Sequence, residues 1–145
     1  MLAVAPEIVE QYARPGKVRL VFRAVLNYAE RSERASEAAA CAGRQGQFWQ
    51  MHALLFEKQD AVWDASGEGL VNLMLDFAAE LEELDQTAFA QCVNDRLTLP
   101  ALQAADAEQR TRGITSQPIF EIGTQRLIGL QSFDTMAAVI EEALK

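Results

Sequence analysis

The sequence predicts an α/β domain in which a block of helices interrupts a small sheet. Alternating apolar residues indicate strands near both ends of the chain, at Lys17–Arg23 and at Pro118–Ile122. A long stretch with helical periodicity lies between them. The chain has 145 residues, half of them hydrophobic, which suits one domain with a substantial core.

The chain begins with the tail of a helix, followed by a strand. Apolar residues recur at helical spacing over Ala5–Ala13, and the sequence "RPGK" ends this helix. In "KVRLVFR", Lys17–Arg23, apolar residues alternate with basic ones. This alternation predicts a half-buried strand with basic ends.

Five helices are predicted between residues 32 and 113. Apolar residues recur at spacings of three and four, and a glycine or a capping residue marks several helix ends. The predicted helices are Ser32–Ala42, Gln47–Lys58, Gly67–Leu84, a short helix capped by Asp85, and a helix from Thr98 to Gly113 with Pro100 in its first turn. The acidic run Glu80–Asp85 is interpreted as a solvated face.

Pro118 marks a change from helical to strand periodicity. "IFEIG" and "QRLIG" flank a turn at Gly123–Thr124, which predicts a hairpin, and Ser132 is a plausible cap for the last helix. Proline lacks an N–H and interrupts a ladder, so it belongs at the first residue of a strand. On the residues alone, a trans bond before Pro118 is favoured, because few X–Pro bonds are cis.

Composition argues against several classes of protein and site. A net charge of −8 disfavours a binder of nucleic acids or anionic membranes, since both require a basic face. No apolar run approaches the roughly 20 residues of a membrane span. No signal peptide is recognisable, so we expect a cytoplasmic chain as given. A single histidine, His52, excludes a multi-histidine metal site, and no cofactor motif is present, so no metal or cofactor is expected.

Four stretches resemble the DsbA-like thioredoxin-domain family of thiol–disulfide oxidoreductases, and together they cover nearly the whole chain. They are "GKVRLVFR", "ASEAAACAGRQGQFWQMHALLFEKQDAVW", "FAQCVND" and "GITSQPIFEIGTQRLIGLQSFDTMAAVIEEAL". The resemblance implies a thioredoxin-like fold formed by residues 1–31 and 112–145, with an inserted helical domain of residues 32–111. It also implies thiol–disulfide exchange on protein disulfides.

The resemblance further implies that Gln117 and Pro118 bind substrate. In the family the proline is cis and exposes the preceding backbone amide, which pairs with an extended polypeptide. Extended polypeptides are therefore the expected partners. The family usually has threonine or valine before the proline, so Gln117 is a departure that bears on substrate preference.

The sequence departs further from the family pattern at its N-terminal end. The family begins with a strand and a Cys-x-x-Cys at the head of a helix, where the helix end lowers the thiolate pKa. This sequence begins inside that helix, so we expect the first strand and the redox dithiol to be missing, no catalytic residue to be present, and the chain to be inactive. The alternative function is a redox-inactive peptide-binding or chaperone-like module.

Loss of a central strand would leave unpaired backbone groups, with three outcomes. The flanking strands pair directly, a second copy supplies surface in a homodimer, or the chain is the truncated start of a longer gene product. We favour truncation as the origin, which would permit a periplasmic or other extracytoplasmic location, and expect the fragment to self-associate. A third interpretation of the whole chain is an all-helical interaction domain with a small appended sheet. It requires a trans peptide bond before Pro118.

The two cysteines, Cys41 and Cys92, lie on apolar helix faces, 51 positions apart. They are either buried free thiols, which behave as small hydrophobes, or a disulfide resembling that of some family members. An oxidising compartment would favour the disulfide. His52, in "FWQMHALLF", is interpreted as structural, and its aromatic neighbours as core.

Overall fold

A computed structural model describes residues 4–145, which form two compact units. One unit contains the chain up to Arg23 together with Gly113–Lys145, and the other contains Ala24–Arg112. The first, which we call the sheet unit, includes the hairpin, and the second, the helical unit, has only helices as regular structure.

The regular elements follow one another in the order that periodicity predicted, with two differences described below. In chain order they are α1 (Ala5–Ile8), a π-helical turn (Val9–Ala13), α2 (Ala29–Gly43), α3 (Phe48–Glu57), α4 (Gln59–Asp64), α5 (Gly67–Ala79), α6 (Gln86–Asn94), α7 (Leu99–Thr111), β1 (Ile119–Ile122), β2 (Gln125–Ile128) and α8 (Phe133–Ala143). The predicted boundary between residues 31 and 32 falls inside α2.

Capping residues begin two of the helices as the sequence predicted. The Asp85 carboxylate accepts a hydrogen bond from the Ala88 N–H at 2.9 Å, and the Ser132 hydroxyl oxygen accepts one from the Thr135 N–H at 3.1 Å. Each cap satisfies a backbone donor that a helix start would otherwise leave unpaired. Pro100 lies in the first turn of α7, where a missing N–H costs nothing.

We expect the substitution Ser132→Ala to lower the free energy of unfolding of the sheet unit by about 1 kcal/mol, because the Thr135 N–H loses its acceptor. Ser132→Asp keeps an acceptor at the same position and is the matched control. Urea titration followed by circular dichroism measures the difference. Equal stability of the alanine and aspartate variants would contradict the capping role.

Helix α5 ends at Ala79 rather than at the predicted Leu84. The residues that follow include Glu80, Glu82 and Glu83, and negative charge is unfavourable at the C-terminal end of a helix dipole. The chain instead turns so that Leu84 becomes buried, with its N–H bonded to the Leu81 carbonyl at 3.0 Å. The short helix α4 was not predicted, since only Lys58 separates it from α3.

The helical unit has its own hydrophobic core. Helix α2 lies at its centre and packs against α3, α5, α6 and α7. The largest fully buried apolar side chains are Met51, Leu70, Met74, Phe89 and Val93. Alanines on the inner face of α2 allow the neighbouring helices to approach closely, which explains the alanine-rich sequence of that helix.

The sheet unit contains a second, smaller core beneath an antiparallel hairpin. Ile119 pairs with Ile128 and Ile122 with Gln125. The core consists of Ile8, Tyr12, Met136 and Ile140, covered by half-buried residues that include Phe120, Ile122, Leu127 and Phe133. Burial raises the pKa of the Tyr12 phenol, and its hydrogen bond with Glu141 raises it further, so the phenol stays protonated.

The prediction of a strand at Lys17–Arg23 is wrong. Burial alternates from Val18 to Val21, with Val18 and Leu20 half-buried and Arg19 and Val21 exposed, but Phe22 is exposed as well and no ladder forms there. Alternation specifies a buried face, whereas a strand also requires a hydrogen-bonded neighbour. Among residues 4–145 the sheet has only β1 and β2, so direct pairing of this segment with β1 does not occur either.

Candidate functional site

The loop that precedes β1 contains both residues predicted to bind substrate. Gly113 begins the loop with φ +74°, a left-handed conformation that glycine adopts without strain. Ile114 is buried and anchors the loop, whereas Gln117 is exposed and Pro118 is half-buried. The peptide bond joining Gln117 to Pro118 is cis. Exposed backbone therefore lies directly before the first strand.

Much of the backbone of this loop is available to another chain. The Pro118 carbonyl accepts a hydrogen bond from the Gly129 N–H at 2.9 Å, one step beyond the hairpin ladder. Within the part of the chain that the structure describes, the backbone groups of Ser116 and Gln117 have no hydrogen-bond partner. An N–H and a C=O placed in this way can pair with an extended polypeptide.

An open apolar cleft lies in the same unit. Its lining residues come from α1, the Lys17–Arg23 segment, β1, the chain after β2, and α8; they are Val4, Ala5, Ile8, Leu20, Phe120, Leu130, Gln131 and Met136. Leu130 directly follows Gly129, the residue bonded to Pro118, which brings the cleft next to the loop.

Sequence reasoning did not identify this cleft. Its residues are ordinary apolar core formers, and Leu130 reads as a loop residue after a strand. In the structure, exposed large apolar side chains around the hairpin mark the cleft. Leu130 is 75% exposed and Ile128 67% exposed, although both are residues that usually lie inside.

Cys41 and Cys92 form a disulfide in the helical unit, with an S–S distance of 2.03 Å and a Cα–Cα distance of 5.9 Å. It joins α2 to α6, and both residues are almost fully buried. The Thr98 hydroxyl donates a weak, long hydrogen bond to the Cys41 Sγ at 3.8 Å. Of the two alternatives from sequence, the structure therefore has the bonded form, and no free cysteine remains.

His52 lies among aromatic rings on α3. The ring centroids of Phe56, Trp49 and Phe48 are 4.7, 5.4 and 5.9 Å from the imidazole centroid. Burial lowers the pKa of His52, so the imidazole is neutral at neutral pH. With both cysteines in a disulfide, His52 has no thiol to activate. The prediction that its aromatic neighbours form the core is wrong for Trp49 and Phe56, which are 42% and 37% exposed.

A charged cluster ties α2 to the chain after α6, and sequence reasoning missed it. Glu37 is fully buried, and its carboxylate accepts hydrogen bonds from the Arg96 Nε at 3.1 Å and Nη2 at 3.0 Å. Glu33 accepts a bond from the same Nη2 at 2.7 Å, and the Arg34 Nη1 lies 3.5 Å from Glu37. The glutamates at i and i+4 of "ERASE", Glu33 and Glu37, were the available signal.

Neither a metal site nor a membrane span is found in the described chain. Residues 4–145 contain no group of three or more histidine, cysteine or acidic side chains that could hold a metal ion. No helix in that range is long and apolar enough to cross a membrane.

Comparison with models of known protein families gives a match. A family model described as Thioredoxin matches residues 2–142. No curated protein matches the chain. Together with the mixed α/β architecture, the family match confirms the predicted thioredoxin-like fold with a helical insertion.

Proposed function

We propose that this chain, which belongs to the thioredoxin family, is a DsbA-like domain. In this proposal it binds extended polypeptides but does not exchange their disulfides. The loop Ser116–Pro118 carries the proposal, since it presents unpaired backbone beside an apolar cleft. Backbone pairing provides affinity for any extended segment, and a cleft selects the side chains that enter it.

The disulfide supports the second half of the proposal. Exchange begins when a thiolate attacks a sulfur, which requires a free cysteine that a neighbouring group keeps deprotonated. The chain has two cysteines, and both are used in one buried bond. A buried bond of this kind supports a structural role. It also favours an oxidising, extracytoplasmic compartment as the place where the domain works.

We expect no turnover in an insulin-reduction assay with dithiothreitol. The rate of insulin precipitation with the 145-residue chain should equal that of dithiothreitol alone, because the buried Cys41–Cys92 pair cannot be attacked in the folded state. A thioredoxin of known activity is the positive control. Precipitation that accelerates in proportion to the chain's concentration would contradict the proposed lack of exchange.

Polypeptide binding is expected to protect the loop amides from hydrogen exchange. The Ser116 and Gln117 N–H groups have no partner within residues 4–145, so they should exchange fast in the free chain and at least about tenfold more slowly when paired. The ligand is reduced, carboxymethylated α-lactalbumin, which is unfolded and free of thiols. Mass spectrometry of the fragment containing Gly113–Phe120 measures the change.

Two variants separate backbone pairing from a side-chain contact. Gln117→Ala keeps the N–H and should bind the unfolded polypeptide like the wild-type chain. Gln117→Pro removes the donor and should bind more weakly, with circular dichroism as the check on folding. Absence of amide protection in the wild-type chain, or equal loss of binding in both variants, would contradict binding through the loop backbone.

A further inference from the structure

The sheet unit has an open strand edge. Strand β1 pairs with β2 on one side, and no other strand among residues 4–145 pairs with it. From Val18 to Val21 the Lys17–Arg23 segment has the alternating burial of a strand, but it forms no ladder. The edge of a strand that has no neighbouring strand is a template for pairing with another chain.

Both of these elements line the apolar cleft. Leu20 from the segment and Phe120 from β1 both line it, and Ile8 and Met136 line it from the helical side. Phe120 also covers the core of the unit, so its face of β1 is the inner one. A strand placed along the edge of β1 would direct every second side chain into this cleft.

The opposite face of the segment is basic. No acidic residue occurs from residue 11 to residue 29, although the chain as a whole has a net charge of −8. Arg19 and Arg23 are exposed, and neither forms an ion pair with any residue of the described chain. Since Leu20 lines the cleft, Arg19 lies on the outward face, where a neighbouring strand would place its other side chains.

From this arrangement we infer that the cleft and the edge of β1 take one extended peptide strand, with apolar side chains facing inward and acidic side chains facing outward. The inward residues fill the space lined by Leu20 and Phe120, and the outward carboxylates pair with Arg19 and Arg23. The inference rests on the proposed function and names the class of polypeptide that the site prefers.

Charge favours such a peptide over a second copy of the chain as the occupant. Two copies each with a net charge of −8 repel one another at low ionic strength. A short acidic strand places its few charges directly beside the unpaired arginines and carries no further negative domain. Cross-strand pairs of opposite charge on one face of a sheet are favourable.

Fluorescence polarisation with three labelled nonapeptides tests the inference. The peptides alternate valine with glutamate, with serine or with lysine, so that they share strand propensity and inward side chains. The wild-type chain should bind the glutamate peptide roughly tenfold more tightly than the serine peptide, with the lysine peptide weakest. Raising the salt concentration should reduce the difference between the glutamate and serine peptides.

Reversing the charge of Arg19 and Arg23 tests most directly whether these residues determine which peptide binds best. The double variant Arg19→Glu/Arg23→Glu should invert the order and prefer the lysine peptide, while its affinity for the serine peptide stays within about twofold of wild type. Arg44→Glu is the matched control, because Arg44 is an exposed arginine of the helical unit. It should leave the order unchanged.

A second pair of variants tests the cleft itself. Leu130→Asp places a charge at the mouth of the cleft, and Leu130 is exposed enough for the fold to tolerate the change. All three peptides should bind at least about tenfold more weakly. Leu97→Asp changes an exposed leucine of the helical unit and should have no effect.

The outcomes distinguish this inference from the proposed function. Peptide binding that protects the loop amides but ignores the charge of the peptide and of residues 19 and 23 would overturn the inference alone. Absence of binding by any peptide or by unfolded polypeptide would overturn both. A concentration-dependent dimer in sedimentation velocity, competing with the glutamate peptide, would overturn the peptide as occupant and identify a second copy in its place.

Discussion

Reduction of the Cys41–Cys92 disulfide is expected to lower the free energy of unfolding of the helical unit by about 4 kcal/mol. The bond joins residues 51 apart and so closes a long loop in the unfolded chain. Opening that loop increases the conformational entropy of the unfolded state, which is the main source of the stabilisation in the chain-entropy model. The loss is large beside the roughly 5–15 kcal/mol that usually stabilises a domain.

Urea titration with and without tris(2-carboxyethyl)phosphine measures this effect. Both tryptophans, Trp49 and Trp63, lie in the helical unit, so their fluorescence reports on that unit. The variant Cys41→Ala/Cys92→Ala is the control, and the reductant should leave its midpoint unchanged. Two free thiols in the denatured, unreduced chain, or a wild-type midpoint that reductant does not shift, would contradict the prediction.

The disulfide also shows what could not be predicted from the sequence. Periodicity placed both cysteines on apolar helix faces, and both are buried. Whether two buried cysteines meet depends on how α2 packs against α6, which helical spacing within each segment does not specify. The caps at Asp85 and Ser132 were predictable for the opposite reason, because a cap depends on its own turn alone.

The strand predicted at Lys17–Arg23 is absent for the same reason, because it depends on how separate segments pack together. Alternation correctly predicted that Val18 and Leu20 are half-buried, but Phe22, on the same predicted face, is exposed. A ladder needs a neighbour whose position depends on the tertiary arrangement, and the structure supplies none within residues 4–145. The cleft was missed because it depends on that unpaired edge. The loop at Gln117–Pro118, by contrast, was predicted from local sequence and from the resemblance.

A second large effect is expected at Arg96, whose backbone adopts an unusual conformation. Its φ of +52° is left-handed, a region that non-glycine residues seldom occupy. Its N–H bonds to the Val93 carbonyl at 3.3 Å, and the Leu97 N–H bonds to the Cys92 carbonyl at 3.0 Å. These two bonds form a Schellman motif at the end of α6, in which glycine normally occupies the position of Arg96.

The guanidinium explains why an arginine stands where glycine is preferred. It donates to both oxygens of the fully buried Glu37 and to Glu33. Hydrogen bonding to Glu37 is the main cause that raises the pKa of Arg96 above its usual value, so the guanidinium stays charged. Arg34 alone, at 3.5 Å, would leave the Glu37 carboxylate poorly compensated.

Arg96→Ala should therefore lower the free energy of unfolding by about 3 kcal/mol, because it leaves a buried carboxylate without its main partner. Arg96→Gly loses the same contacts but relieves the left-handed strain, so it should be about 1 kcal/mol more stable than the alanine variant. Arg96→Lys keeps the positive charge but cannot donate two hydrogen bonds to one carboxylate in the fixed geometry of a guanidinium. Its free energy of unfolding should lie between those of the alanine variant and the wild type. Urea titration followed by tryptophan fluorescence measures all three.

A double-mutant cycle with Glu37→Gln separates the ion pair from the rest of the arginine's contribution. If the cost of Arg96→Ala comes from an uncompensated buried charge, Glu37→Gln should remove much of that cost, and the double variant should be more stable than the sum of the single effects predicts. Strict additivity would contradict a role for Arg96 as partner of Glu37. An alanine variant as stable as the glycine variant would contradict the strained backbone. The two results are independent, because one depends on the side chain and the other on φ.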